Sequence, residues 1–176
     1  MEQFEKDILN IIKNERNFKF TFEELIARFE DNFAKLESPD NHLEIAEYFS
    51  EGESKAREKL FIKGWLKEKK DFKGIYVFLN YETPFYVGIS KNVIKRIIQH
   101  TQGNHKKATL AYNIYKRIIG KKSKDINIET EFKKVKNFLL NQKMAFVPID
   151  DDVKLALFEI YCSIKFNTAF NDFKTH

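Results

Sequence analysis

A change of hydrophobic period at Gly74 constrains the fold of this 176-residue chain more than any other feature. Before Gly74, apolar residues recur at three- and four-residue intervals, which is typical of helices that bury one side. After it come two short runs of β-branched and aromatic residues, 75–79 and 85–89, with turn-forming residues at 80–84 between them. This pattern predicts an antiparallel β-hairpin. The chain is therefore expected to combine a helical N-terminal part with a small β-sheet.

The N-terminal part is predicted to contain three helices. Apolar residues at helical spacing predict the first over 2–14, with one side to bury. The second is predicted to begin at Thr21, whose side chain can cap the first turn while Glu24 reaches back to the backbone of Thr21. The third is predicted to be a long helix over 42–70, with a kink at Gly52.

Helices and one further strand are predicted after the hairpin. Ser90 is predicted to cap a helix that ends at Gly103, and Pro148 to close a strand that begins at Met144. The remaining predicted elements are a helix over 108–119, a helix or an irregular insertion over 125–142, and a last helix from about Asp150 to Lys165.

The charge of the chain is unevenly distributed. Residues 1–70 contain 13 Lys and Arg against 16 Asp and Glu, a formal charge of −3, whereas residues 71–176 contain 18 against 10, a charge of +8. Such a local excess favours a polyanionic partner, of which phosphate backbones are the commonest, although an inert basic surface is the alternative. The candidate residues for contact with the phosphate backbone of a nucleic acid are Lys106, Lys107, Lys116, Arg117, Lys121, Lys122 and Lys124.

Cysteine content and hydropathy indicate where the protein acts. Cys162 is the only cysteine, so no disulfide can form within the chain, and a reducing compartment is expected. The first residues are too charged for a signal peptide, and no apolar run approaches the roughly 18 residues that span a bilayer. A cytoplasmic protein with no membrane partner is predicted.

A set of polar residues runs through the C-terminal part at fixed spacings. Tyr76 and Tyr86 lie ten residues apart, one in each strand of the predicted hairpin. Arg96 and His100 lie four apart and therefore on one side of the next helix. An arginine can pair with phosphate oxygens, and histidine and tyrosine can transfer protons. These residue types in this pattern indicate chemistry on a phosphate.

The whole pattern resembles the GIY-YIG nuclease family over about residues 73–172. The matching residues are, in order, Gly74-Ile75-Tyr76, Tyr86-Val87-Gly88, Arg96, His100, Glu159 and Asn171. Val87 stands where the second triplet usually has isoleucine. The spacings of Arg96 to His100 and of Glu159 to Asn171 are most similar to the restriction-endonuclease branch of the family.

The resemblance implies an α+β fold, in which a small three-stranded antiparallel sheet is flanked by helices. It also implies hydrolysis of DNA phosphodiester bonds with one divalent ion, Mg²⁺ or Mn²⁺. Glu159 would bind this metal, since a hard cation prefers carboxylate oxygen. Arg96 would clamp a nonbridging phosphate oxygen.

The remaining roles implied by the resemblance concern protons and orientation. Tyr76 would be the general base for the attacking water, and His100 would accept the proton of Tyr76. Tyr86 would donate a hydrogen bond to the phosphate or position the water. Asn171 would orient a neighbouring group or the phosphate, with Asn167 as the competing candidate.

The predicted organisation is a helical N-terminal region at 1–70 followed by a nuclease domain at 71–176. One alternative is a nucleic-acid-binding module that keeps this fold without cutting. Another is a protein-interaction module that uses the N-terminal helices. RNA as substrate and a homodimer are left open.

Overall fold

The computed structural model of the protein describes residues 3–14, 20–119 and 128–171. Within these residues the chain forms helices and short strands in an α+β arrangement. The elements in chain order are α1 (Gln3–Asn14), α2 (Phe22–Glu37), a 3-10 turn (Pro39–Asn41), β1 (Leu43–Glu44), α3 (Ile45–Phe49), α4 (Glu53–Ile62), β2 (Gly74–Asn80), β3 (Thr83–Ser90), α5 (Val93–Gln102), α6 (Thr109–Ile119), α7 (Ile128–Leu140), β4 (Lys143–Pro148) and α8 (Asp152–Lys165).

The four strands form one antiparallel sheet in the order β1-β4-β2-β3. The predicted number of three strands is therefore wrong, because β1 was not recognised. Only Leu43 and Glu44 belong to β1, pairing with Met144 and Lys143. Two residues are too short to show the alternation that identifies a strand from sequence.

The predicted helices over 2–14 and from Thr21 are confirmed. Thr21 caps α2 as expected: its hydroxyl accepts the N–H of Glu24 at 3.2 Å, and the Glu24 carboxylate accepts the N–H of Thr21 at 3.0 Å. The long helix over 42–70 is wrong. Gly52 has φ +90°, outside the helical region, and it separates the short helices α3 and α4.

The hairpin formed by β2 and β3 is confirmed, and so are the later elements. The segment predicted as helix or insertion contains α7, Gly103 ends α5, and Pro148 is the last residue of β4. The hairpin has a bulge near its turn. Phe78 pairs with Tyr86 and Leu79 pairs with Pro84, so that Phe85 has no partner residue in β2. This bulge turns the Phe85 side chain to the same side of the sheet as Tyr86.

Helices cover both sides of the sheet. On one side, Tyr76 and Phe78 pack in a core that also receives residues of α3 to α7. On the other side, Ile75, Val77 and Leu79 pack against α2 and α8. Since α2 and β1 contribute to these layers, part of the N-terminal region packs with the sheet. The predicted domain boundary at residue 70 stays a prediction.

No helix in the described part of the chain is both long and apolar enough to cross a membrane.

Candidate active site

Tyr76 lies in a gap that Gly88 leaves in the neighbouring strand. The two residues face each other across β2 and β3, and the Tyr76 side chain is buried. A Cβ atom at position 88 would lie 2.5 Å from the Tyr76 hydroxyl oxygen, which is far inside contact distance. Only glycine therefore lets the Tyr76 ring lie across β3, which is the edge strand of the sheet.

His100 on α5 contacts the Tyr76 hydroxyl. Its Nε2 atom lies 2.8 Å from the phenolic oxygen, while the backbone N–H of Leu110 points to its Nδ1 atom at 3.4 Å. Burial, reinforced by the charge of Arg96, lowers the pKa of His100 to about 3, so the ring is neutral at ordinary pH. Because Nδ1 accepts a hydrogen bond, the single ring proton is assigned to Nε2, which donates to the Tyr76 oxygen.

This tautomer bears on the role that the resemblance implied for His100. An Nε2 atom that already carries a hydrogen has no lone pair for the phenolic proton. It can instead stabilise negative charge on the Tyr76 oxygen by donating a hydrogen bond. The sequence could not reveal this, because the contact that sets the tautomer comes from the backbone of α6.

Arg96 is held one turn before His100 by residues beyond the end of α5. Its guanidinium donates to the Lys107 carbonyl at 3.0 Å and to the Thr109 hydroxyl at 2.6 Å. The side chain is half-buried, and its charge offsets part of the rise that burial causes in the pKa of both Tyr76 and Tyr86. Arg96 therefore presents a fixed positive charge beside the two phenols.

Asp71 caps the helix that carries Arg96 and His100. Its carboxylate accepts the N–H groups of Ile94 at 2.8 Å and Lys95 at 3.0 Å. The predicted cap Ser90 instead accepts the N–H of Asn92, just before α5 begins. Sequence reasoning missed Asp71 because capping motifs are read from adjacent residues, and Asp71 precedes the whole hairpin.

Tyr86 completes a group of three rings. Its ring centroid lies 6.2 Å from that of Tyr76 and 5.8 Å from that of His100. Burial raises the pKa of Tyr86, and the negative charge of Glu159 on α8 raises it further. Burial is also the largest cause of the strongly raised pKa of Tyr76. Both phenols are therefore protonated in the free protein at neutral pH.

Glu159 supplies a carboxylate whose charge acts on Tyr86. The side chain is half-buried, and burial raises its pKa. No side chain in the described ranges forms a hydrogen bond or an ion pair with this carboxylate. The described residues also contain no cluster of three or more His, Cys, Asp or Glu side chains that could enclose a metal. A lone, partly desolvated carboxylate suits a cation that keeps several water ligands, as Mg²⁺ does.

Asn171 holds the edge strand between Tyr86 and Gly88. Its amide nitrogen donates to the Val87 carbonyl at 2.7 Å, and its amide oxygen accepts the Val87 N–H at 2.9 Å. Asn167, the competing candidate, lies just after α8 with φ +51° and an exposed side chain. The structure thus brings Asn171 to the strand that carries Tyr86, where it fixes the backbone.

The predicted basic residues lie at two places around these rings. Lys106 and Lys107 are exposed in the segment whose backbone holds Arg96. Lys116 and Arg117 are exposed on α6, and Arg117 donates to the Ala169 carbonyl, close to Asn171. The other candidates, Lys121, Lys122 and Lys124, lie outside the described residues.

Comparison with known proteins identifies the segment that holds most of these side chains. Residues 72–144 match the sequence model of the GIY-YIG catalytic domain, and this match includes Tyr76, Tyr86, Arg96 and His100. No curated protein and no solved structure was found to match the chain significantly. The homodimer has no support among these findings. The chain therefore carries at residues 72–144 a GIY-YIG catalytic domain, the domain of a nuclease family.

Proposed function

We propose that this protein is a metal-dependent endonuclease that hydrolyses DNA phosphodiester bonds. One observation carries the proposal: the Tyr76 hydroxyl is hydrogen-bonded to His100 beside Arg96, next to a tyrosine that is under the charge of the unpaired Glu159 carboxylate. A base, a fixed cation and a metal-binding oxygen are the groups that phosphodiester hydrolysis requires. The family of the catalytic domain supports the same reaction.

Tyr76 is the proposed general base. Its phenol is protonated in the free protein, so it must first release its proton to solvent water before it can accept one from the attacking water. Arg96 favours the phenolate through its charge, and His100 favours it through the hydrogen on Nε2. His100 therefore acts as a hydrogen-bond donor to the base in this proposal.

Arg96 and Tyr86 are proposed to contact the phosphate. Arg96 keeps free N–H groups after its bonds to Gln99, Lys107 and Thr109, and these can donate to a nonbridging oxygen. Because these three contacts orient the guanidinium, little ordering is needed when the phosphate binds. Burial raises the pKa of Tyr86, so its phenol keeps its proton and can donate a hydrogen bond to the phosphate.

Glu159 is proposed to hold the divalent ion, Mg²⁺ or Mn²⁺. The fit rests on the half-burial of this carboxylate and on the lack of a described partner for it. A bound divalent ion supplies positive charge that stabilises the transition state and the departing 3′ oxygen. Asn171 is proposed as a positioning residue, because it fixes the strand segment between Tyr86 and Gly88.

Nicking of a supercoiled plasmid in the presence of Mg²⁺ tests this proposal. Tyr76→Phe and Glu159→Gln are expected to lower the nicking rate at least about 100-fold, while thermal unfolding stays close to that of the wild type. The matched controls are Tyr81→Phe, at a tyrosine 82% exposed in the hairpin turn, and Glu37→Gln, at an exposed residue of α2. The proposal is contradicted if Tyr76→Phe or Glu159→Gln nicks the plasmid as fast as the wild type. It is also contradicted if the wild type does not nick the plasmid.

The assay also separates the alternatives. Binding of the plasmid with no cleavage by any variant would leave a non-catalytic nucleic-acid-binding module. Parallel digestion of single-stranded RNA shows whether RNA is a substrate.

The protein-interaction alternative has one observation in its favour, since α1 exposes the apolar residues Phe4, Ile8 and Ile11 that were expected to be buried. Removal of residues 1–14 is expected to leave nicking unchanged if α1 serves only association. We also propose that the chain divides near residue 70 into a helical N-terminal region and a nuclease domain.

A further inference from the structure

An aromatic pocket lies beside the candidate active site and is not used in the proposed reaction. It has a volume of about 580 Å³ and lies between the start of β3 and the helices α6 and α7. Its walls include Phe85, Tyr115, Phe138 and Phe170. This volume falls within the range of small-molecule binding sites.

Two residues of the pocket wall are chain neighbours of candidate site residues. Phe85 directly precedes Tyr86, and Phe170 directly precedes Asn171. The N–H of Phe170 donates to the Phe85 carbonyl at 3.2 Å, which holds these two rings together. Because the bulge turns Phe85 to the same side of the sheet as Tyr86, the pocket and the tyrosines belong to one side of the molecule.

The chemistry of the pocket combines aromatic walls with polar and charged groups. Asn80 and Thr83 line it, and neither side chain has a hydrogen-bond partner in the ranges that the structure describes. Lys134 and Glu131 also line it and form an ion pair at 2.6 Å, so these two side chains together add no net charge. The guanidinium of Arg117 lies 5.1 Å from the centroid of the Phe170 ring. A base edge can use the amide and the hydroxyl, and a flanking phosphate can use the Arg117 guanidinium.

We propose that this pocket binds an unstacked nucleobase of the nucleic acid that is cut. Aromatic rings stack with any base, and a base removed from the helix needs such a surface to replace its lost stacking. The positive charge of Arg117 at the Phe170 wall complements a phosphate next to that base, which an apolar peptide would not require. The energetic cost of unstacking is least for a base that is already unpaired. DNA with a bulged base is therefore the substrate class that the pocket favours.

This inference rests on the proposed function, because it assumes that the protein binds DNA. Measuring DNA affinity without a divalent ion tests the pocket separately from cleavage. Two fluorescent duplexes of one sequence are compared by anisotropy in EDTA, one with a bulged adenine and the other with an abasic residue at the same place. The wild type is expected to bind the bulged adenine about 10-fold to 100-fold more tightly, the range of one base–aromatic stack.

Three variants locate the preference. Phe138→Ala removes a wall and is expected to reduce the difference between the two duplexes to about 2-fold. The matched control is Phe61→Ala on α4, since Phe61 is 39% exposed and Phe138 is 43% exposed. Thr83→Trp fills the pocket from an exposed position, so it should remove the preference without unfolding the chain.

Each outcome decides between the proposals. A wild type that nicks DNA but binds both duplexes equally overturns the pocket proposal alone and leaves the pocket to another occupant, such as an apolar side chain of a partner protein. A preference that survives in Phe138→Ala and Thr83→Trp also overturns it. A wild type that prefers the bulged adenine without nicking overturns only the nuclease proposal. Failure to bind either duplex overturns the pocket proposal, and the nuclease proposal falls with it only if the plasmid is not nicked in Mg²⁺.

Discussion

The two sides of the central sheet are built from alternate residues of the same strands, yet they differ in chemistry. On the side of α5, Tyr76 and His100 are buried polar residues that satisfy each other by a hydrogen bond. On the side of α2 and α8, Val77 packs with apolar neighbours such as Phe29 and Phe158. One side therefore mainly stabilises the fold, whereas the other holds buried polar groups at a cost in desolvation.

The largest expected effect is on the apolar side. Phe158 is fully buried and packs against Phe29, with ring centroids 4.8 Å apart. Phe158→Ala is expected to lower the free energy of unfolding by about 3–5 kcal/mol, because it removes a large apolar side chain and leaves a cavity. Urea unfolding measures this loss, with Leu157→Ala at an exposed neighbour as the control. Phe158→Ala should nick DNA at the wild-type rate per folded molecule. A lower rate would show that the two sides of the sheet are not distinct in function.

Gly88→Ala tests the opposite side. The added methyl group would meet the Tyr76 ring at 2.5 Å, so the ring must move away from its position across β3. We expect nicking to fall about 100-fold with a loss of about 1–3 kcal/mol in stability. Gly74→Ala is the matched variant, since its methyl group would meet the backbone carbonyl of Val147 at 2.4 Å and strain the sheet instead. Equal nicking by Gly88→Ala and the wild type would contradict the proposed position of the base.

The neutral state of His100 predicts a pH dependence of stability. Its folded pKa of about 3 lies below the ordinary value of 6.5, so its contribution is present above pH 6.5 and is lost as the pH falls towards 3. The slope from this one group is at most about 1.4 kcal/mol per pH unit. His100→Gln is expected to flatten the unfolding free energy across this window, as measured by urea unfolding at successive pH values. Parallel curves for the two proteins would show that His100 is not buried as a neutral ring.

The smallest expected effect concerns surface charge near Arg96. The double variant Lys106→Ala, Lys107→Ala is expected to weaken DNA binding several-fold and to reduce the salt dependence of affinity by about two phosphate contacts. The nicking rate at saturating DNA should be unchanged, because neither side chain belongs to the proposed chemistry. Lys63→Ala, Lys67→Ala, at exposed lysines of the N-terminal part, is the control. An unchanged salt dependence would remove these lysines from the DNA-binding surface.

Local sequence predicted elements that depend on neighbouring residues. The capping pair Thr21 and Glu24 and the two strands of the hairpin were recognised because their signals lie within a few positions. The prediction of one helix over 42–70 is wrong because apolar spacing does not show the left-handed conformation of Gly52 or the pairing of Leu43 with Met144. A strand of two residues has no period of its own.

The sequence by itself determined the hairpin, the order and spacing of the candidate site residues, and the helix face that Arg96 and His100 share. Only the tertiary structure decided how these groups interact. The His100 tautomer depends on the backbone of Leu110, the cap of α5 comes from Asp71, and the edge strand is held by Asn171. Such contacts join residues far apart in the chain, and a hydrogen bond depends on distance and direction in space, which no local pattern of residues records.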